Sequence, residues 1–242
     1  MNSPARLLRS AALALLVATL LSGCATAPQQ AFDREQATSI KTVVIAQRPN
    51  QPDYTVDIIG HPGQSFGLVG GLIEMADAMA KMKQLTPVID PAETRLQDRF
   101  SAALAQRLTA AGYAVQVIEL RSIPSQDADL LTQVKALAKA DAVVAVGMLG
   151  SYVAAGLSTP YSPNVRVLVR MLDMTSGATL YRESLNYGPA PQLQGPVLLS
   201  VDPKYRFANF EAVLANPGLA RGGLLAGLDP LAQQIAQDLK PK

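Results

Sequence analysis

The sequence predicts an α/β (α+β) fold: a mixed sheet with a long antiparallel hairpin, helices packed on it and a helical C-terminal end. Three observations point there. Over residues 91–149 the apolar pattern alternates helix, strand, helix, strand, the rhythm that lays helices onto a sheet. From Val165 the period shortens to two, turns at Asp173-Met174-Thr175-Ser176-Gly177 and returns along 179–187. Near the end Leu231, Ile235 and Leu239 recur at steps of four, one helical face.

The chain starts with a segment outside that pattern. Arg6 and Arg9 precede an uncharged run, 11–21, of about a dozen residues, shorter than the roughly 20 that a spanning helix needs. Small Ser22 and Gly23 follow, which completes a secretory signal over 1–23. Leu21-Ser22-Gly23-Cys24 resembles the lipobox of bacterial lipoproteins at all four positions. The resemblance implies cleavage ahead of Cys24, a lipid thioether on its sulfur and an acylated amino terminus. Ala25 in place of Asp implies, by resemblance to sorted lipoproteins, the outer membrane with the domain on its periplasmic face. The alternatives are an ordinary secretory signal with a chance cysteine, or an uncleaved anchor. Cys24 is the only cysteine of the chain, so a mature acylated protein has no internal disulfide. Two acyl chains suffice for stable anchoring.

About 219 residues remain after such cleavage, enough for one good-sized core, and 40–242 is expected to be a single domain. The chain carries 21 Lys+Arg and 19 Asp+Glu. Two of the arginines leave with the signal, so the mature charge is balanced, which argues against nucleic acid as a partner because that needs a basic stripe. With no Trp and few aromatics, a ring-stacking carbohydrate platform is disfavoured.

In order along the chain, residues 25–39 are polar without an apolar period and read, with Cys24, as a flexible tether (24–39), which extended would reach at most about 50 Å. Residues 40–47 are β-branched and read as a strand, 54–59 as a second weak one, and His61-Pro62-Gly63 as a turn. In 66–85, Leu68, Leu72, Met75, Met79 and Met82 fall at steps of four and three on one helical face, after a glycine-rich entry at Gly67, Gly70 and Gly71. This stretch is either a core helix or a contact surface for a membrane or partner, since methionine faces adapt to varied shapes. A phosphate-cradling loop is a poor fit, lacking the P-loop lysine. Asp90-Pro91-Ala92-Glu93 caps a helix with the stripe Leu96, Phe100, Leu104, Leu108, ended by Gly112. Residues 113–120 form a strand, Asp127 caps a second helix, and 141–149, nearly all apolar, reads as a strand buried on both faces. In the hairpin, Val165, Val167, Val169 and Met171 share one face and Arg166, Leu168, Arg170 and Leu172 the other, with Arg166, Arg170, Arg182 and Glu183 expected on or near the wet side. Residues 188–202 are a Pro/Gly-rich flap, 204–215 a helix, 216–218 a break, and 219–239 a helical end interrupted near 227–230.

This order, with the hairpin Val167-Leu168-Val169-Arg170-Met171-Leu172-Asp173-Met174-Thr175-Ser176-Gly177 after the buried strand from Asp141, resembles a loose group of envelope lipoproteins. The group includes the activator lipoprotein of penicillin-binding proteins, the curli secretion lipoprotein and the amino-terminal domain of TolB. Residues 67–82 also resemble a glycine-rich helix found in lipoproteins of similar layout. The resemblance covers roughly 40–187 and implies work by binding and assembly, with no catalytic residue carried over.

Candidate chemistry is sparse. His61 is the single histidine and would have to serve any Ser/His/Asp triad, yet it sits in a turn and no nucleophile elbow exists. With Cys24 acylated, no Cys/His metal site is available, and no calcium-loop spacing appears. Asp90, Glu93, Asp141 and Asp173 could supply paired acids, but capping and turn roles explain them better. The expectation is a non-enzymatic binding or scaffold protein of envelope biogenesis, without cofactor or metal. Its partners are the membrane, through acyl chains on Cys24, and an envelope protein. A self-assembling export subunit and an acid-dependent hydrolase are the alternatives.

Overall fold

The computed structural model describes residues 29–63, 67–189 and 197–241. Seven strands among them form one mixed sheet: β1 (Thr42–Gln47), β2 (Thr55–Ile58), β3 (Ala114–Glu119), β4 (Ala142–Ala154), β5 (Tyr161–Asp173), β6 (Thr179–Tyr187) and β7 (Val197–Leu199). The order is β3-β1-β4-β5-β6-β7, with β2 paired to the far half of β4. β1 is parallel to β3 and β4, β4 and β6 are antiparallel to β5, and β7 returns parallel to β6. The helices are α1 (Gly67–Ile89), α2 (Pro91–Thr94), α3 (Leu96–Ala110), α4 (Asp127–Leu137), α5 (Phe210–Ala215), α6 (Pro217–Leu225) and α7 (Leu228–Asp238).

The two faces of the sheet are covered unequally. On one, Val43, Ile45, Val144, Val146, Val167, Val169 and Met171 meet Phe100, Leu104 and Leu108 of α3 and Leu231 and Ile235 of α7, in a cluster that runs from Phe32 to Leu239. On the other, Val44, Ala46, Val143, Ala145 and Leu172 meet Leu130, Leu131 and Val134 of α4, with Leu120 and Met174 in the same smaller cluster. The alternation read from the hairpin matches these faces: its odd-numbered β5 positions enter the larger cluster and Leu172 the smaller.

Several boundaries move. The antiparallel pairing is longer than the hairpin alone, because β4 continues to Ala154 and all 13 of its residues pair with β5. Residues 29–39, expected to be tether, are packed: Gln30 and Arg182 exchange both backbone hydrogen bonds, Asp33 N–H donates to Leu180 O, and Phe32 and Ala37 are buried. The reason is the bare edge of β6, which needs a partner below β7 and finds it in this strap. Residues 24–28 lie outside the described residues, as do the signal 1–23, Cys24 and the centre of the flap, 190–196. The helix expected from Pro91 breaks at Arg95, whose φ of 44° is left-handed; α3 then starts anew where Asn50 Oδ1 accepts the N–H of Gln97 at 2.9 Å. The helix expected over 204–215 begins only at Phe210, capped by Asn209, because Phe207 is held extended by paired backbone bonds to Tyr161.

Asp141 ties the start of β4 to the start of β1. Its carboxylate accepts the N–H groups of Lys41 and Thr42 at 2.9 and 2.8 Å, and its own N–H donates to Thr42. Those backbone donors hold its carboxyl below the usual aspartate range. Asp141→Ala should therefore lower unfolding free energy at neutral pH by about 1–3 kcal/mol, as for hydrogen bonds to a charged group. Because the folded pKa is depressed, the contribution is complete above the unfolded pKa near 4 and is lost as pH falls through the folded value. Urea melts of both proteins should differ clearly at pH 7, and the difference should shrink progressively as the pH is lowered below 4.

Candidate interaction surface

α1 opens at Gly67, with φ of 58°, and runs 23 residues, carrying Pro87 within its last turn. Its C-terminal part is anchored. Leu85 and Ile89 are fully buried, and Thr86 Oγ1 accepts the Tyr54 N–H at 3.1 Å. Its first three turns are inverted relative to a surface helix, which normally shows its charges to water. Leu68, Val69, Leu72, Ile73, Met75 and Met79 are exposed, from 91% at Leu68 to 47% at Met79. Ala76 and Ala80 lie exposed among them. Two charged groups turn to the body instead, while Lys83 is exposed: Lys81 pairs with Asp77, and Asp77 lies 3.9 Å from Nε2 of buried His61. His61 Nδ1 in turn accepts the Gly63 N–H at 3.0 Å. Gly63 lets the helix approach this closely, since a Cβ there would overlap the Gly70 carbonyl.

Four of the five residues picked out by the methionine-rich pattern, Leu68, Leu72, Met75 and Met79, thus share an open face, while Met82 is half-buried. The core-helix reading fails for turns one to three: only Gly70 is buried there. Val69 and Ile73 were missed because the four-three spacing selects one stripe. The available signal was that no charge occurs from Gly67 to Ile73, so the stripe widens to most of the circumference. An exposed contiguous apolar patch of this kind marks an interaction site.

The candidate acids are each engaged locally. Asp90 accepts the Glu93 N–H, and the Glu93 carboxylate pairs with Arg221. Partial burial opposes ionisation of Asp173, yet the N–H groups of Ser176 and Thr175 hold its pKa below the usual range. The arginines expected on the wet side are less solvated than that. Arg170 and Arg182 both bind Asp127, at 2.8 and 2.9 Å, and Arg170 also donates to the carbonyls of Pro124 and Ser125. Glu183 lies on the opposite side, accepting from Gln29. Among the described residues no group of three or more His, Cys, Asp or Glu could hold a metal ion, and no helix is long and apolar enough to cross a membrane.

No family model matches the chain, and no curated protein does. Solved structures resemble it in outline. The PelC dodecamer from Paraburkholderia phytofirmans is 12% identical, with a TM-score of 0.37 over 89% of this chain and 96% of that one. A neuraminyllactose-binding hemagglutinin homolog from Helicobacter pylori is 10% identical, with a TM-score of 0.33 over 89% and 90%. Lipoprotein GNA1162 from Neisseria meningitidis is 13% identical, with a TM-score of 0.23 over 63% and 84%.

If the open face of α1 contributes nothing to the core, Leu72→Ser and Met75→Ser should each change stability by no more than about 0.5 kcal/mol. Leu85→Ala, in the same helix, should cost about 2–5 kcal/mol. Denaturant unfolding of the three variants reads the contrast directly.

Proposed function

We propose that this protein is a lipid-anchored, non-enzymatic binding or scaffold protein of the bacterial cell envelope, held on the periplasmic face of the outer membrane through Cys24. The outward face of α1 is its contact surface. The observation that carries the reading is the inversion of α1: apolar side chains in water, charged ones against the body. The lipobox-like Leu21-Ser22-Gly23-Cys24 supports the anchoring, and the balanced charge fits a contact made by apolar surface rather than by attraction to an anionic partner. The local engagement of Asp90, Glu93, Asp141 and Asp173 fits a structural use of the acids.

Two measurements test it. Mass spectrometry of the protein from membranes should find Cys24 acylated at a new amino terminus; an unmodified Cys24 overturns the anchoring. Photo-crosslinkers at positions 75 and 79 in intact cells should trap one recurrent protein adduct that a crosslinker at buried-side position 82 yields more weakly. Equal yield from all three positions, or none, overturns the contact surface.

A further inference from the structure

α1 is held to the body by two different kinds of contact along one inward stripe. Gly70, Glu74, Asp77, Lys81, Leu85 and Ile89 recur at steps of four and three and are buried or half-buried. The last two are apolar and fully buried, while the three before them are charged. The second half of the helix is therefore fixed by buried apolar surface, and the first half leans on polar contacts beneath it. A segment with few buried apolar contacts opens at a small fraction of the global unfolding free energy.

Those polar contacts converge on His61, the single histidine of the chain. The ring is 9% exposed. Its Nδ1 accepts the Gly63 N–H at 3.0 Å, and its Nε2 lies 3.9 Å from Asp77 Oδ2. An imidazole nitrogen that accepts a hydrogen bond carries no proton, so this geometry requires the neutral ring with its hydrogen on Nε2, on the Asp77 side. The Nδ1 bond also sets the position of Gly63, against which Gly70 packs too closely for a Cβ. One ring thus ties the turn through Nδ1 and faces the helix through Nε2. The charged groups around it have other engagements. Lys81 pairs with Asp77, and Glu74 lies half-buried one turn earlier on α1. β2 sends Val56 and Ile58 into the larger cluster and Asp57, a carboxyl pushed above its ordinary range by burial, to the other face. Glu211 of α5 is exposed, and Arg221 of α6 pairs with Glu93.

We propose that His61 is an acid-sensitive latch on the first half of α1. A proton taken up at Nδ1 turns the acceptor into a donor facing another donor, the Gly63 N–H, and the bond is lost. The 61–63 turn then opens and Gly70 loses its seat. Asp77 does not compensate, since Lys81 already pairs with it and a contact at Nε2 restores nothing at Nδ1. The opened turn admits a proton that the closed one excludes, so opening takes up a proton and acid favours it. Histidine is the side chain whose ordinary titration falls between pH 5 and 8. As a device of the fold the latch stands on the geometry alone; as a control on the contact surface it rests on the function proposed above.

Hydrogen exchange of the full chain, extracted in detergent, tests the latch at pH 7.5 and pH 5.5, with rates corrected for the pH dependence of unprotected amides. Protection over residues 71–77 should fall at least about fivefold at the lower pH, while that of 85–89 stays unchanged. In His61→Asn, whose Oδ1 can accept the Gly63 N–H but takes up no proton, protection should be the same at both. A flat wild-type profile, or a fall of equal size in His61→Asn, overturns the latch. Should His61→Asn fail to fold, the nitrogen-15 signals of the sole imidazole in wild type decide. Their titration must share its midpoint with the loss of protection, and a midpoint displaced by more than about one pH unit overturns the latch too. A flat profile with adducts still formed at positions 75 and 79 removes the latch and leaves the contact surface; protection that falls without any adduct does the reverse.

Discussion

β4 has no free side, and the rest of the molecule is arranged to satisfy it. Val143, Val144, Ala145 and Val146 are buried on both faces, so every backbone group of this strand must find a protein partner. β5 supplies one edge along its whole length. The other edge is shared: β1 pairs as far as Val146 and β2 resumes at Ser151. Side chains from the connecting loop fill the gap. Arg48 donates to Met148 O at 2.6 Å, and the Gln51 amide both accepts the Gly150 N–H and donates to Gly150 O. The Arg48-Pro49-Asn50-Gln51 stretch is therefore a substitute for strand, and its Asn50 also starts α3.

What local pattern encodes was legible in the residues. The stripe Leu96, Phe100, Leu104, Leu108 is buried as its spacing requires, and Gly177, at φ 77°, makes the hairpin turn. What depends on distant partners was not. Residues 29–39 have no period of their own and are ordered by the edge of β6, more than a hundred residues away. The β4 extension past Leu149 must pass Gly150 and Ser151 before it reaches strand-forming Tyr152 and Val153, and pairing with β5 carries it through. The α1 stripe was visible as a stripe, but periodicity defines a face and not the direction in which it points. That direction was set by His61 and by the Gly63–Gly70 approach, which draw the charged side inward.

The unequal covering of the sheet and the inversion of α1 share one origin. Six of the seven helices come before β3 or after β7, and the apolar residues that α1, α3, α5, α6 and α7 bury lie on the crowded side. Among the described helices only α4, on the connection from β3 to β4, lies across the other side, and its 11 residues are too short to cover 13-residue strands. Once α3, α6 and α7 have filled the first face, α1 has room for its last two turns alone.

The strap at Gln30–Asp33 also decides how tension travels. A pull at Gln29 directed along β6 would load the two Gln30–Arg182 bonds and the Asp33–Leu180 bond together, lengthwise, rather than peel them apart one by one. Arg182 is in turn clamped with Arg170 by Asp127 of α4. A tug at that end is thereby spread into the strands before any single contact gives way.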